Sequence, residues 1–213
     1  MNRPLVVLAH GWGFAPSFWA PMSAALRGVE TVAVDLGFRG PPSLPELPAD
    51  RPLVGVGHSL GFAWLLRERP WDGLVAINGF PRFTRGEGFP EGVHPRLLDR
   101  MRSRLRERPA EVAGDFLRRC GVDDPEVHDL APDRLAEGLD WLAEWDLREA
   151  LGAHHGALLA LAGDADPIVP EAMSRASFPA GCLRVREEAG HLLPWSHPEW
   201  CASELDAFLR GLS

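Results

Sequence analysis

Apolar residues fall in short unbroken runs along this chain of 213 residues rather than in strict alternation. Leu5 to Ala9, Val29 to Val34, Leu53 to Val56, Leu74 to Ile77, Ala157 to Ala162 and Leu183 to Val185 read as six strands. Unbroken runs suit strands covered on both faces. They predict an α/β fold built on a mostly parallel, doubly wound sheet of about six strands. Between the runs the period lengthens to that of helices. Phe18 to Leu26 reads as a helix capped by Ser17, Phe62 to Arg69 as another, and Pro198 to Leu209 as the closing one.

Two stretches break the rhythm. From Gly79 to Gly156 there are no strand signals, but Pro95, Pro109 and Pro132 each open a helical pattern, and Gly121 stops the second. This predicts a helical lid over residues 81–150, inserted into a core made of residues 1–80 and 151–213. Gly40 to Pro52 carries five prolines where a crossover helix would stand, so the connection between the second and third strands is expected to be abbreviated.

Candidate chemistry begins where the third run meets its helix, at Gly57-His58-Ser59-Leu60-Gly61. A G-x-S-x-G between strand and helix marks a nucleophile elbow. The glycines permit a turn too tight for side chains, and the turn raises the serine hydroxyl at the carboxyl edge of the sheet. A serine nucleophile needs a base, an acid that orients the base, and donors for the oxyanion. His191 is the candidate base, on a loop after the last strand and at the same sheet edge. The acid is expected in Gly163-Asp164-Ala165-Asp166-Pro167 at the end of the fifth strand, where a buried carboxylate has reason to exist if it accepts from a histidine. Asp164 and Asp166 compete; Asp164 suits a turn brace and Asp166 is favoured as the acid. Backbone N–H groups of Trp12, in the Gly-flanked loop after the first strand, and of Leu60 are the candidate oxyanion donors. Trp12, Phe80, Phe83, Trp141 and Trp195 are candidates for an apolar acyl pocket.

Composition narrows the alternatives. A net charge of −8 argues against nucleic acid as a partner. All 22 basic residues are arginine, which removes any Schiff-base lysine or Ser-Lys dyad. Cys120, Cys182 and Cys201 show no paired spacing, so neither a disulfide framework nor a metal site is expected, and a cytoplasmic setting fits. No apolar stretch approaches the roughly 20 residues of a membrane span, and Leu5 to Ala9 is too short for a signal-peptide core.

These elements together resemble the α/β-hydrolase family over essentially the whole chain; Ser59, Asp166, His191 is the chain order of that family, and Asp166 before Pro167-Ile168-Val169-Pro170 stands where its acid stands. More narrowly, the chain resembles the pimeloyl-acyl-carrier-protein methyl ester esterases of biotin synthesis. The carrying segments are His10-Gly11-Trp12-Gly13 with Phe18-Trp19, the serine pentapeptide, Trp145-Asp146-Leu147-Arg148, Asp166 to Pro170, and Gly190-His191 with Ser196-His197-Pro198. The resemblance implies ester hydrolysis through an acyl-enzyme, a small acyl ester as substrate, no cofactor, and an acidic acyl carrier protein docked on basic lid residues. Arg96, Arg100 and Arg104, at i, i+4 and i+8, would form that docking stripe; a solvated helix face is the other reading. The chain departs from the family in its shortened crossover, in Phe62 where a further glycine is common, and in Glu111 and Asp115 on the next lid helix. A general short-chain carboxylesterase or thioesterase, and a catalytically idle ligand binder, are the rival expectations.

Overall fold

The structure, a computed structural model, describes residues 3–212. Six strands form one sheet: β1 (Leu5–Ala9), β2 (Thr31–Val34), β3 (Leu53–His58), β4 (Gly73–Ile77), β5 (Ala157–Gly163) and β6 (Leu183–Arg186). Their spatial order is β2-β1-β3-β4-β5-β6, and all five neighbouring pairs are parallel. Every residue of β1, β3 and β4 is buried, as unbroken apolar runs require. At the edge the pattern changes: in β6 Leu183 is buried while Arg184 and Arg186 reach solvent.

The helices are α1 (Ala20–Ala25), α2 (Leu60–Glu68), α3 (Arg96–Leu105), α4 (Pro109–Cys120), α5 (Pro132–Glu144), α6 (Arg148–Gly152), α7 (Glu171–Ser177), α8 (Leu193–Ser196) and α9 (Pro198–Arg210). Right-handed crossovers place α1, which leads from β1 outward to β2, on the face opposite α2, which leads from β3 to β4; α9 packs against α1. The sheet therefore reverses direction between β1 and β3, and the loops that leave those two strands open a crevice at its carboxyl edge.

Several local expectations shift. Ser17 makes no cap; Pro16–Trp19 is a 3-10 turn that runs into α1 with no side-chain hydrogen bond at either start. Proline supplies the helical φ there without one. α6, α7 and α8 were not legible as elements: each is seven residues or shorter, below the length at which periodicity speaks. The stretch between β2 and β3 forms no helix, only an antiparallel bridge between Asp35 and Ser43.

Helices α3, α4 and α5 lie between β4 and β5 in the chain. The two ends of this excursion are stitched together: Arg82 bridges Asp146, both by β-type pairing and by an ion pair, and Leu147 N–H donates to the Pro81 carbonyl at 2.9 Å. Gly121, at φ 109°, ends α4 in the left-handed conformation and lets Val122 N–H reach back to the Leu117 carbonyl. Apolar faces of the three helices meet through Leu98, Leu105, Val112, Leu135 and Leu139. A four-layer stack ties α5 to the core: Arg134 lies over Trp141 (4.5 Å), Trp141 stacks on Trp145 (5.0 Å, 15° between planes), and Arg67 of α2 lies over Trp145 (4.7 Å).

The tightest packing is where α2 leaves β3. A side chain on Gly61 would overlap the Ala9 carbonyl at the end of β1, and one on Gly57 would overlap the backbone of Phe62. Gly61→Ala is expected to cost about 3 kcal/mol or more, beyond ordinary overpacking because backbone rather than a side chain must give way. Gly152→Ala, at a position with nothing within 4 Å, is expected to be neutral. Thermal unfolding of the two variants checks this.

Candidate active site

Ser59 caps α2 at φ 54°, ψ −124°, a conformation a serine adopts only when its surroundings impose it. Its own N–H is held by the Ile77 carbonyl at the end of β4 (3.1 Å), and its carbonyl accepts from Phe62 N–H (3.1 Å). The side chain is directed away from both bonds. It is 5% exposed, and its hydroxyl has no hydrogen-bond partner among the described residues. Leu60 opens α2, so its N–H has no carbonyl one turn earlier to receive it.

The loop after β1 crowds this turn. A side chain on Gly11 would meet Ser59 Cβ at 3.1 Å and His58 Nδ1 at 3.0 Å, so the backbone of Gly11-Trp12 passes directly over the serine. His10 holds the loop in place. Its Nδ1–H donates to the Gly11 carbonyl (3.0 Å), and its Nε2 accepts from Leu36 N–H (3.1 Å). The Trp12 indole is committed elsewhere: its N–H donates to the Leu135 carbonyl of α5 at 2.8 Å.

His191 is fully buried. Its Nδ1 donates to Asp166 Oδ2 at 2.7 Å. Asp166 Oδ1 accepts two backbone N–H groups, from Ile168 (2.7 Å) and Val169 (3.0 Å), which fixes the carboxylate plane. A carboxylate only accepts, so the proton of the neutral ring sits on Nδ1 and the lone pair on Nε2. That Nε2 is buried with no hydrogen-bond partner among the described residues. Asp164, by contrast, is exposed, and its backbone N–H donates to the Arg186 carbonyl.

Two residues that sequence reasoning passed over complete the surroundings. Asn78, just past β4, donates to the carbonyls of Gly190 and His191, each at 2.9 Å, and accepts from Gly163 N–H at 3.0 Å. His58, beside the serine, donates from Nε2 to the same His191 carbonyl at 2.8 Å. Its ring lies between Phe14, Phe18 and His191, at centroid distances of 5.9, 4.4 and 4.7 Å. Burial first, and His191 second, hold the His58 imidazole well below histidine's usual 6.5. No local pattern betrays either residue. A lone asparagine after an apolar run reads as a turn former, and a histidine beside the serine has no partner within its own segment.

A largely apolar cavity of about 380 Å³ lies between α3, α4 and the turn after Asp166. Phe83, Met101, Phe116, Leu142 and Ile168 line it, with Arg100, Arg104 and Arg119 among its polar edges. Of the five aromatic pocket candidates, Phe83 alone lines it. Phe80 packs behind Phe83, at 4.9 Å between ring centroids, and Trp12 packs edge-on against Phe116 at 5.0 Å. Trp141 is held in the arginine–tryptophan stack. Trp195 is 47% exposed; its indole N–H donates to the Phe18 carbonyl (2.6 Å) and its ring lies nearly parallel to that of Phe18. The arginine stripe is also redistributed. Arg104 pairs with Glu111 (3.2 Å) and Asp115 (3.7 Å), whereas Arg96 and Arg100 are exposed and make no ion pair among the described residues. No helix among the described residues is long and apolar enough to cross a membrane.

Residues 6–204 match the Alpha/beta hydrolase family. A pimeloyl-[acyl-carrier protein] methyl ester esterase of Aromatoleum aromaticum is 30% identical, aligned over 99% of this chain and 100% of its own length. The biotin biosynthesis bifunctional protein BioHC of Cellvibrio japonicus is 29% identical over the whole of this chain, which spans about half (49%) of that longer protein. Among solved structures, an esterase from Exiguobacterium antarcticum superposes with a TM-score of 0.80, covering 98% of this chain and 92% of its own at 19% identity, a likeness of fold.

Because His58 is held neutral, the unfolded chain binds a proton that the folded chain refuses below about pH 6.5. Stability is therefore complete above that pH and falls as the pH drops beneath it, by up to about 1.4 kcal/mol per unit from this group. Urea unfolding at pH 5, 6 and 7 is expected to show this slope, and His58→Phe to flatten it.

Proposed function

Since the chain belongs to the Alpha/beta hydrolase family, we propose that Ser59, His191 and Asp166 are the nucleophile, base and acid of an ester hydrolase. One observation carries this reading. His191 is braced through Nδ1 by a carboxylate that is itself fixed by two backbone N–H groups, while Nε2 is left buried and without a partner. A buried unpaired nitrogen costs free energy, about 1–3 kcal/mol, and a base awaiting a proton is a reason to bear it. The strained turn at Ser59 gives the same indication from the other side.

In the proposed reaction Ser59 Oγ attacks the ester carbonyl carbon as His191 Nε2 takes its proton, and Asp166 stabilises the imidazolium. Leu60 N–H and Trp12 N–H receive the oxyanion, each contributing roughly 3 kcal/mol to the transition state. The tetrahedral intermediate expels the alcohol, which leaves with the proton from His191. Water, deprotonated by the same nitrogen, then attacks the acyl-serine; the second tetrahedral intermediate expels Ser59 Oγ, which takes the proton back from His191, and the acid departs. The cavity beside the Asp166 turn takes the acyl chain, and α3 to α5 serve as the lid above it.

For the substrate, we propose the methyl ester of a pimeloyl chain on an acyl carrier protein. The support is the full-length similarity to an esterase named for that substrate, together with Arg100 at the cavity's edge and Arg96 one turn before it on α3, both exposed and without an ion pair among the described residues. Arg104 is a weaker candidate, since Glu111 and Asp115 already neutralise it.

A fluorophosphonate probe is expected to label the wild type and not a folded Ser59→Ala variant; an unlabelled wild type defeats the hydrolase reading. Asp166→Asn is expected to lower kcat by about 10⁴-fold, as removal of an imidazole-orienting carboxylate does elsewhere, and Asp164→Asn far less. The reverse ranking overturns the assignment of the acid. For the substrate, the gene is expected to rescue a biotin auxotroph lacking the esterase. Arg96→Glu with Arg100→Glu is expected to raise KM about 5- to 10-fold for the carrier-linked ester and less for a free short-chain ester. Failure of rescue by well-expressed protein, with equal KM changes on both esters, would falsify carrier docking.

A further inference from the structure

We propose that Asn78 is a positioning residue: with His58 it clamps the backbone of the His191 loop and so aims the His191 imidazole at Ser59. The inference rests on the reading of His191 as the base and extends it to two side chains that do not touch the reacting atoms.

Both donors of the Asn78 amide and its acceptor oxygen are engaged, in three of the four hydrogen bonds open to it. An amide side chain has two N–H donors and a carbonyl acceptor. Here the donors go to the consecutive carbonyls of Gly190 and His191, both at 2.9 Å, and the carbonyl accepts Gly163 N–H at 3.0 Å. Asn78 is 1% exposed and sits at φ 46°, in the left-handed region that asparagine tolerates better than other residues with side chains. Aspartate keeps the shape but offers no donor and sets a negative charge against two carbonyls. Serine has a single donor. Only the amide answers all three demands.

Besides Asn78 and His58, the segment is tied by Ala165 N–H to the Ala189 carbonyl (3.1 Å) and by His191 Nδ1 to Asp166. Gly190 and His191 belong to no strand and precede the short α8. The loop rests against the end of β5, where a side chain on Gly163 would overlap the Ala189 carbonyl, so Asn78 joins strand and loop at their closest approach. His58 supplies the second half of the clamp. Its Nε2–H reaches the His191 carbonyl at 2.8 Å, so that one oxygen accepts from both residues and both lone pairs are engaged. His58 is also the covalent neighbour of Ser59. The base is thereby indexed to the nucleophile through a single peptide link: a shift of the β3 end moves Ser59, His58 and the His191 carbonyl together. Catalytic groups must keep their geometry within about 0.5 Å, and this arrangement makes the tolerance independent of the loop's own stiffness.

The test compares wild type with Asn78→Asp, Asn78→Ala, His58→Phe and His58→Gln. Three quantities are read: the low-field proton NMR line of the His191 Nδ1–H bonded to Asp166, kcat and KM for a p-nitrophenyl ester, and the thermal midpoint. Asn78→Asp is expected to weaken or abolish the low-field line and lower kcat ~10- to 100-fold with KM nearly unchanged, the signature of a mis-aimed base. His58→Phe keeps the ring between Phe14 and Phe18 but loses the donor, and is expected to lower kcat ~10-fold; His58→Gln restores a donor and recovers part of that loss. A purely structural role would move the thermal midpoint while leaving the line and kcat of the folded fraction intact. That result in folded Asn78→Asp and Asn78→Ala overturns the proposal. If neither folds, an unaltered low-field line in His58→Phe overturns it. A wild type that shows the line but hydrolyses no ester defeats the hydrolase reading instead, and the clamp is then judged by the line alone.

Discussion

Backbone meets backbone at the end of β3, and the rest of the site is arranged around that contact. Gly61 lies against the Ala9 carbonyl and Gly57 against the start of α2, with no room for a side chain at either position. Between them the chain must turn from strand to helix within one residue, and Ser59 takes up the turn at φ 54°. Such a conformation costs of order 1–3 kcal/mol. It persists because β1, β3 and β4 are buried along their whole length and α2 is buried from Leu60 to Leu65, so no relaxed alternative keeps the sheet and the helix in contact. The same closeness brings the Gly11-Trp12 backbone over the serine without a hinge or an added element.

Around this contact lies a chain of buried polar groups, His10, His58, Ser59, Asn78, Asp166 and His191, in an otherwise largely apolar interior. Most of their hydrogen-bonding capacity is directed at backbone rather than at one another. His10 braces the first loop, Asp166 accepts from the turn that follows it, and Asn78 and His58 share the His191 carbonyl. Side chains bonded to backbone set where loops lie, and loops set where the His191 imidazole lies. Among these groups Ser59 Oγ and His191 Nε2, the two atoms the proposed chemistry needs, have no hydrogen-bond partner among the described residues, and neither has His58 Nδ1. Packing thus provides rigidity up to the carboxyl edge of the sheet, and hydrogen bonds to carbonyls extend it across the irregular segments beyond.

The helices over the sheet follow a looser rule. Arg82 and Asp146 close the excursion at its base, and the Arg134–Trp141–Trp145–Arg67 stack fastens α5 to α2. α3 and α4 are left to enclose the cavity with Met101, Phe116 and their neighbours. Cation–aromatic stacking and an ion pair at the surface hold less strongly than buried area. Buried area holds α5 as well: a side chain on its Gly138 would overlap the Trp12 and Phe38 rings, and Leu135 and Leu139 are fully buried.

The sequence alone carried the parallel sheet, because strands buried on both faces must be apolar throughout, and β1, β3 and β4 are. It also carried the helix starts at Pro109 and Pro132 and the stop at Gly121, since proline and glycine act on their own dihedral angles, and the serine turn, whose glycines leave room where a side chain would overlap backbone. Position along the chain nominated Asp166 and His191; the 2.7 Å bond between them it could not give. Short helices escaped notice, as did the fate of each aromatic residue: Trp141 and Trp195 were as good pocket candidates by composition as Phe83. Asn78 and His58 left no trace in any local pattern, because their partners lie 112 and 133 residues away. Periodicity and dihedral preference are properties of neighbours in sequence and are written there. Which carbonyl an amide meets, which face an indole covers and which arginine keeps its charge free depend on segments brought together only by folding, and those the tertiary structure decided.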